Sequence, residues 1–198
     1  MAEEEAEEPA APDPLSFPGL RHFLVLSGLP GSGKTSLGRS LACALDLPVL
    51  DKDEILVGLF DSLGVGDSDW RNRLSRAADE VLRRLAMQLS GAVLASFWRH
   101  PRSMSESGTS ISWLSALPSP VVEVHCDCPP ETAAQRFLAR QRHVGHLDGQ
   151  KRASEVVASF TRLAALGPLG IGSLVRVDTS EPVDIEAVVG GLLAPFLL

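Results

Sequence analysis

The run Gly28-Leu29-Pro30-Gly31-Ser32-Gly33-Lys34-Thr35 satisfies every constrained position of the spacing G-x-x-x-x-G-K-[ST]. The residue types fit one chemistry. Glycines at 28, 31 and 33 let the backbone close around a polyphosphate with its N–H groups turned inward. Lys34 is placed to reach the β- and γ-phosphates, and the Thr35 hydroxyl to bind Mg²⁺. Pro30, Ser32 and Ser36 complete the turn and are expected among its nucleotide contacts.

The flanks supply what such a loop needs. Phe23-Leu24-Val25-Leu26 reads as a buried strand ahead of it. Behind it, Leu37, Leu41 and Leu45 recur at helical spacing, so the loop opens a helix whose N-terminus adds positive potential. Strand, glycine-rich turn and helix is the context in which the motif is specific. A nucleoside triphosphate, ATP, is the implied ligand, with Mg²⁺ as its companion.

Further along, strands and helices alternate. Residues 48–50 form a short apolar run ending at Asp51, and residues 53–60 a brief helix. Gly64, Gly66 and Asp67 mark a loop. A long helix is predicted over 70–89, with Leu74, Ala78, Val81, Leu82, Leu85 and Leu89 on its apolar face. Strands follow at 92–95, 121–124 and 174–177. Helices are expected at 111–117, from Pro129-Pro130 to about Arg142, at 153–166 and at 185–193. Strands separated by helices require crossover connections, so the expected fold is a three-layer α/β/α domain on a five-stranded parallel sheet.

In such sheets ligands sit beyond the carboxyl ends of the strands. Asp51 and Asp53 follow the second strand, where a carboxylate can lie beside a γ-phosphate and accept a proton from an acceptor hydroxyl. The alternative for Asp53, and still more for Asp51, is the N-cap of the following helix. Asp51 is a candidate Mg²⁺ ligand with Thr35. Phe97 and Trp98, after the third strand, serve either an acceptor pocket or the core.

Composition narrows the class. A 198-residue chain that is 44% hydrophobic can bury one substantial core. A formal charge of −7 speaks against a dedicated duplex-binding protein. There is no run of membrane-span length and no signal-peptide pattern, so the cytoplasm is the expected address. Residues 1–18 are acidic and proline-rich, and are expected to form a disordered tail ahead of a domain over 19–198. Cys43, Cys126 and Cys128 give an odd count. His125-Cys126-Asp127-Cys128 lacks the second ligand pair of a zinc site, so strand-end cysteines are the expectation.

Three stretches together carry a resemblance: residues 28–35, Leu50-Asp51-Lys52-Asp53-Glu54-Ile55, and the run from Cys128 through His146. They resemble the small P-loop kinase superfamily, most closely the predicted-kinase group of AAA-type ATP-binding proteins. That group is similar to polynucleotide 5′-kinases, zeta-toxin and chloramphenicol phosphotransferases, and gluconate kinases.

The resemblance implies a general-base role for Asp53 and a lid, here around 140–152, that brings arginines onto the phosphates. Arg136 and Arg140 are then candidates for catalysis and Arg142 for nucleotide binding, unless all three merely solvate an exposed helix face. His143-Val144-Gly145-His146 resembles the group's His-x-Gly-His lid element. One position departs from the pattern: Ala95 stands where the related kinases carry an acid on the third strand.

Two function classes follow. One is an ATP-dependent phosphotransferase acting on a hydroxyl of a small-molecule or nucleotide-like acceptor. The other is a nucleotide-binding regulator or weak ATPase, which the missing acid favours. Asn-Lys-x-Asp guanine signals are absent, and a monomer or homodimer is expected.

Overall fold

The computed structural model describes residues 21–146 and 152–194. The expected tail at 1–18 lies outside them, as do 147–151 of the expected lid.

Five strands, β1 (Phe23–Gly28), β2 (Val49–Asp51), β3 (Ala92–Ala95), β4 (Val121–Asp127) and β5 (Ser173–Asp178), form one parallel sheet in the order β2-β3-β1-β4-β5. Among the described residues six helices flank it: α1 (Lys34–Leu45), α2 (Lys52–Leu63), α3 (Ser68–Ala86), α4 (Pro130–Ala139), α5 (Ala153–Ala164) and α6 (Ile185–Leu193). This is the expected three-layer α/β/α arrangement.

Strand alternation divides the core. Leu24 and Leu26 of β1 and Val122, Val124 and Cys126 of β4 face α1 and α6. Phe23 and Val25 turn the other way, onto Leu82 and Ala86 of α3, Trp98 and Leu114. A third cluster joins α4 and α5 over Leu29 of the glycine-rich loop, and a fourth joins α2 to α3. The described residues contain no helix long and apolar enough to cross a membrane.

Several local expectations are corrected. α3 runs from Ser68 to Ala86 rather than 70–89, because Asp67 caps it through the Trp70 N–H. Val81 and Leu85 are 38% and 41% exposed, and Ala86 takes the buried position instead. Residues 111–117 hold only a single 3₁₀ turn, Leu114–Ala116. There, serine hydroxyls satisfy local backbone groups, as Ser110 does for the Ser112 N–H, and so compete with a helix.

α4 ends at Ala139 rather than Arg142, since Arg140 is already extended. Arg136 and Arg140 therefore do not share a helix face. The indole N–H of Trp98 donates to the Leu26 carbonyl at 2.9 Å and its ring is buried, so Trp98 is core while Phe97 stays partly exposed.

Candidate active site

The glycine-rich loop connects the central strand to α1. Gly33 precedes the helix with φ 95°, a left-handed conformation that a side chain resists. Gly31 is needed for a different reason: a Cβ there would lie 2.3 Å from the Ala133 carbonyl oxygen of α4. The loop is thus held in shape by its neighbour as well as by its own turn.

Lys34 folds back over this loop. Its ammonium donates to the carbonyls of Gly28 at 3.0 Å and Leu29 at 2.7 Å. Burial lowers its pKa to about 8, against the opposing pull of Cys126, Asp53 and Asp51. Arg140 pushes in the same direction as burial, which puts its guanidinium within electrostatic reach of Lys34.

Thr35 reaches across to β2, its hydroxyl donating to Asp51 Oδ2 at 3.0 Å. The other Asp51 oxygen accepts the Asp53 N–H at 2.9 Å, so Asp51 is the N-cap of α2. Of the two aspartates weighed as N-caps, Asp51 takes that place. Burial, with the nearby Asp53 charge, raises the Asp51 pKa, opposed by the two hydrogen bonds it accepts. A hydroxyl and a buried carboxylate side by side form the hard-oxygen set that suits Mg²⁺, whose charge would offset that upward shift. The residues present fit the ion.

Asp53 is half-exposed and pairs with Arg142 at 2.5 Å. The segment carrying Arg142 is seated on α2. His143 stacks on Phe60 with ring centroids 5.4 Å apart and lies 3.4 Å from Asp61. His146 meets the Phe60 ring edge-on. Gly145 passes so close that a Cβ would sit 2.6 Å from that ring.

The remaining arginines separate. Arg140 lies over the Phe137 ring, 4.8 Å from its centroid. Arg136 donates to the carbonyls of Thr179 and Ser180, each at 2.7 Å. With Gly33, Ser36, Ser40, Thr179 and Pro182 it lines an open hollow of about 370 Å³ beside the start of α1. The site thus brings together Lys34, Thr35, Asp51, Asp53, Arg140 and Arg142, and puts Arg136 against the loop after β5.

Two polar groups escaped the sequence reading. Glu123, fully buried on β4, accepts from the Ser27 hydroxyl at 2.6 Å and from the N–H groups of Leu169, Gly170 and Ile171. Lys52, between the two aspartates, is buried against Asp79. An acid or a lysine inside an otherwise apolar pattern was the available signal for both. Among the described residues no cluster of three or more His, Cys, Asp or Glu could hold a metal ion, and Cys43, Cys126 and Cys128 are free thiols.

A family model described as an AAA domain matches residues 23–163. A shikimate kinase of Ruegeria pomeroyi is 38% identical over 106 residues, which is 49% of this chain and 53% of that protein. One from Chlamydia pneumoniae is 49% identical over 39 residues, 20% of this chain and 22% of that one. The chain therefore spans about half, or less, of the length of these curated relatives.

Among solved structures, one from Chloroflexus aurantiacus described as a candidate kinase superposes with TM-score 0.72 at 25% identity, covering 87% of this chain and 97% of that one. A shikimate kinase from Bacteroides thetaiotaomicron gives 0.52 at 18% identity over 88% and 98%, a likeness of fold alone. A match across residues 23–163, on the sheet and loop described above, means that the chain belongs to the AAA domain family and carries the small P-loop kinase fold.

Proposed function

We propose that this protein is an ATP-dependent phosphotransferase that moves the γ-phosphate to a hydroxyl of a small polyhydroxylated acceptor. The observation that carries the reading is the Thr35–Asp51 hydrogen bond. It joins the phosphate loop to the acidic segment, so Asp53, two residues on, opens toward the same site.

In this reading the nucleotide lies along the loop with its phosphates on the N-terminus of α1 and on Lys34. Its nucleoside end enters the hollow lined by Arg136 and Pro182. Thr35 and Asp51 would hold Mg²⁺, which supplies charge neutralisation at the phosphates. Asp53 accepts the acceptor's hydroxyl proton as the new O–P bond forms and the bond to the β-phosphate oxygen breaks, releasing ADP. Arg142 and Arg140 steady the transferred group by planar, charge-assisted hydrogen bonds. Phosphoryl transfer asks for positioning and charge, and little else from the protein.

The acceptor class is supported by the curated relatives, which are named shikimate kinases. The panel to assay therefore begins with hydroxylated ring acids, aldonic acids and neutral sugars, then nucleosides and 5′-hydroxyl oligonucleotides. Acceptor-stimulated ADP release that vanishes in Lys34→Ala, and in Asp53→Ala, is the expected result. Tight nucleotide binding with no stimulation by any acceptor would favour the regulator reading, which rests on Ala95 at the end of β3.

A further inference from the structure

Three consecutive side chains at the start of α2 leave in three directions. Asp51 goes to Thr35 of α1, Lys52 to Asp79 of α3, and Asp53 to Arg142. The two outer partners belong to the site described above. The middle one does not.

Lys52 is 9% exposed along its side chain, and its ammonium lies 2.7 Å from Asp79 Oδ1. That oxygen also accepts the Thr109 hydroxyl at 2.6 Å. Thr109 Oγ1 in turn lies 2.5 Å from Ser96 Oγ, both of them buried. A hydroxyl carries one proton, and that of Thr109 is committed to Asp79, so Ser96 must be the donor to Thr109. The chain runs Ser96 to Thr109 to Asp79, with Lys52 closing on the same carboxylate. It links the exit of β3, the middle of α3 and the first turn of α2.

Stability alone is a poor reason for this arrangement. Taking the Lys52 ammonium out of water is costly even with Asp79, 29% exposed, as its partner, and apolar replacements for such pairs are often as stable or more so. The pair does, however, fix how the first turn of α2 is rotated. Asp51 and Asp53 flank Lys52, so a shift at 52 moves both. The backbone around it is pinned elsewhere: Thr109 brackets Trp98 through bonds to the Phe97 carbonyl and the Arg99 N–H. β2 and β3 are in register with Asp51 beside Ala95.

We propose that Lys52 and Asp79 are positioning residues, which hold Asp51 on the metal side and Asp53 on the acceptor side of the site. The inference rests on the phosphotransferase reading for its kinetic consequence, and on geometry for its location. Misplacing reacting groups by about 1 Å costs about a hundredfold in rate, so the effect falls on turnover rather than on folding.

The test is the double variant Lys52→Met/Asp79→Leu in the full chain, with Thr109→Val as a milder break in the same network. The double variant is expected to keep or raise Tm and to retain metal-free ATP affinity. Its kcat is expected to fall at least tenfold, with KM for nucleotide unchanged. By calorimetry, the gain in ATP affinity on adding Mg²⁺ is expected to shrink, because Asp51 has moved.

Unchanged kcat in the double variant, with wild-type turnover intact, overturns the proposal. Absence of turnover in the wild type with every acceptor overturns the functional reading instead. The Mg²⁺-dependent affinity then decides: a full gain in the double variant sinks the positioning role.

Discussion

Arg142 closes on the carboxylate of Asp53, tying the segment after α4 to the first turn of α2. The proposed base is therefore paired with a guanidinium from the segment after α4. On the proposed reading, an incoming phosphate group is expected to compete for that guanidinium and so leave the carboxylate to the acceptor. Arg142→Ala is expected to lower kcat by about a hundredfold, the scale of losing one donor to a developing charge. Tm should move little, because a half-exposed ion pair is worth about 0–1 kcal/mol. Steady-state kinetics beside a thermal melt check both halves.

Lys34 gives a pH-dependent signature. Burial holds its ammonium down at about 8, so in the free protein it is mostly neutral near pH 9. Bound phosphates favour the charged form and raise the pKa again. Nucleotide binding at about pH 9 is expected to take up close to one proton, and much less at pH 7, where the lysine is already charged. Calorimetry in two buffers of different ionisation enthalpy measures the uptake. The same shift acts on folding: a lysine lowered in the folded state binds fewer protons there than in the unfolded chain. Its contribution to stability therefore rises as pH climbs from about 8 to the ordinary lysine range.

Arg136 is expected to act on binding rather than on rate. Its guanidinium holds the Thr179 and Ser180 carbonyls and forms one wall of the hollow beside α1. Arg136→Ala should raise the nucleotide Kd about tenfold, the loss of roughly 1.4 kcal/mol, and leave kcat near wild type. A fall in kcat with unchanged Kd would instead return Arg136 to the phosphates.

Glu123 is the structural counterpart. Replacing it by alanine leaves three backbone N–H groups of the 169–171 loop without their acceptor, while the Ser27 hydroxyl keeps the His125 ring nitrogen 2.7 Å away. The expected destabilisation is about 3 kcal/mol or more, since each orphaned buried donor costs about 1–3 kcal/mol. Glu123→Gln, which keeps one oxygen acceptor, should lose less. Urea denaturation of the two variants gives the comparison.

Gly145→Ala probes how the 143–146 segment sits on α2. The added methyl would fall 2.6 Å from the Phe60 ring, and Phe60 is buried between α2 and α3 and cannot give way easily. The segment at 143–146 is expected to lift from α2, seen as faster amide exchange there, with exchange in β1 unchanged.

Much of this was legible in the sequence because it is written locally. The phosphate loop is a contiguous motif, and β1 and β4 are short apolar runs with helices after them. Asp51 and Asp53 were found by one rule about the ends of parallel strands. Which of the two caps α2 was left open, because that depends on which carboxylate meets the Asp53 N–H in the folded chain. The end of α4 was misjudged for a similar reason. Residues 140–142 suit a helix by type, and the long-range pairing of Arg142 with Asp53 could not be read locally. Glu123 and Lys52 were missed because their partners lie 46 and 27 positions away, at Leu169 and Asp79.

The central position of β1 carries a consequence for how the protein comes into being. Leu26, two residues before the loop begins, pairs with Ala95 on one side and Val124 on the other. The loop also leans on Ala133. Its shape is therefore assembled from segments roughly a hundred residues downstream, and such non-local closure is slow compared with forming a helix. On the ribosome, a nascent chain that has not yet released β4 and α4 carries the whole nucleotide signature in sequence but has no cradle to put a nucleotide in. Capture of a nucleotide by this loop is therefore expected only from chains whose translation has passed that point.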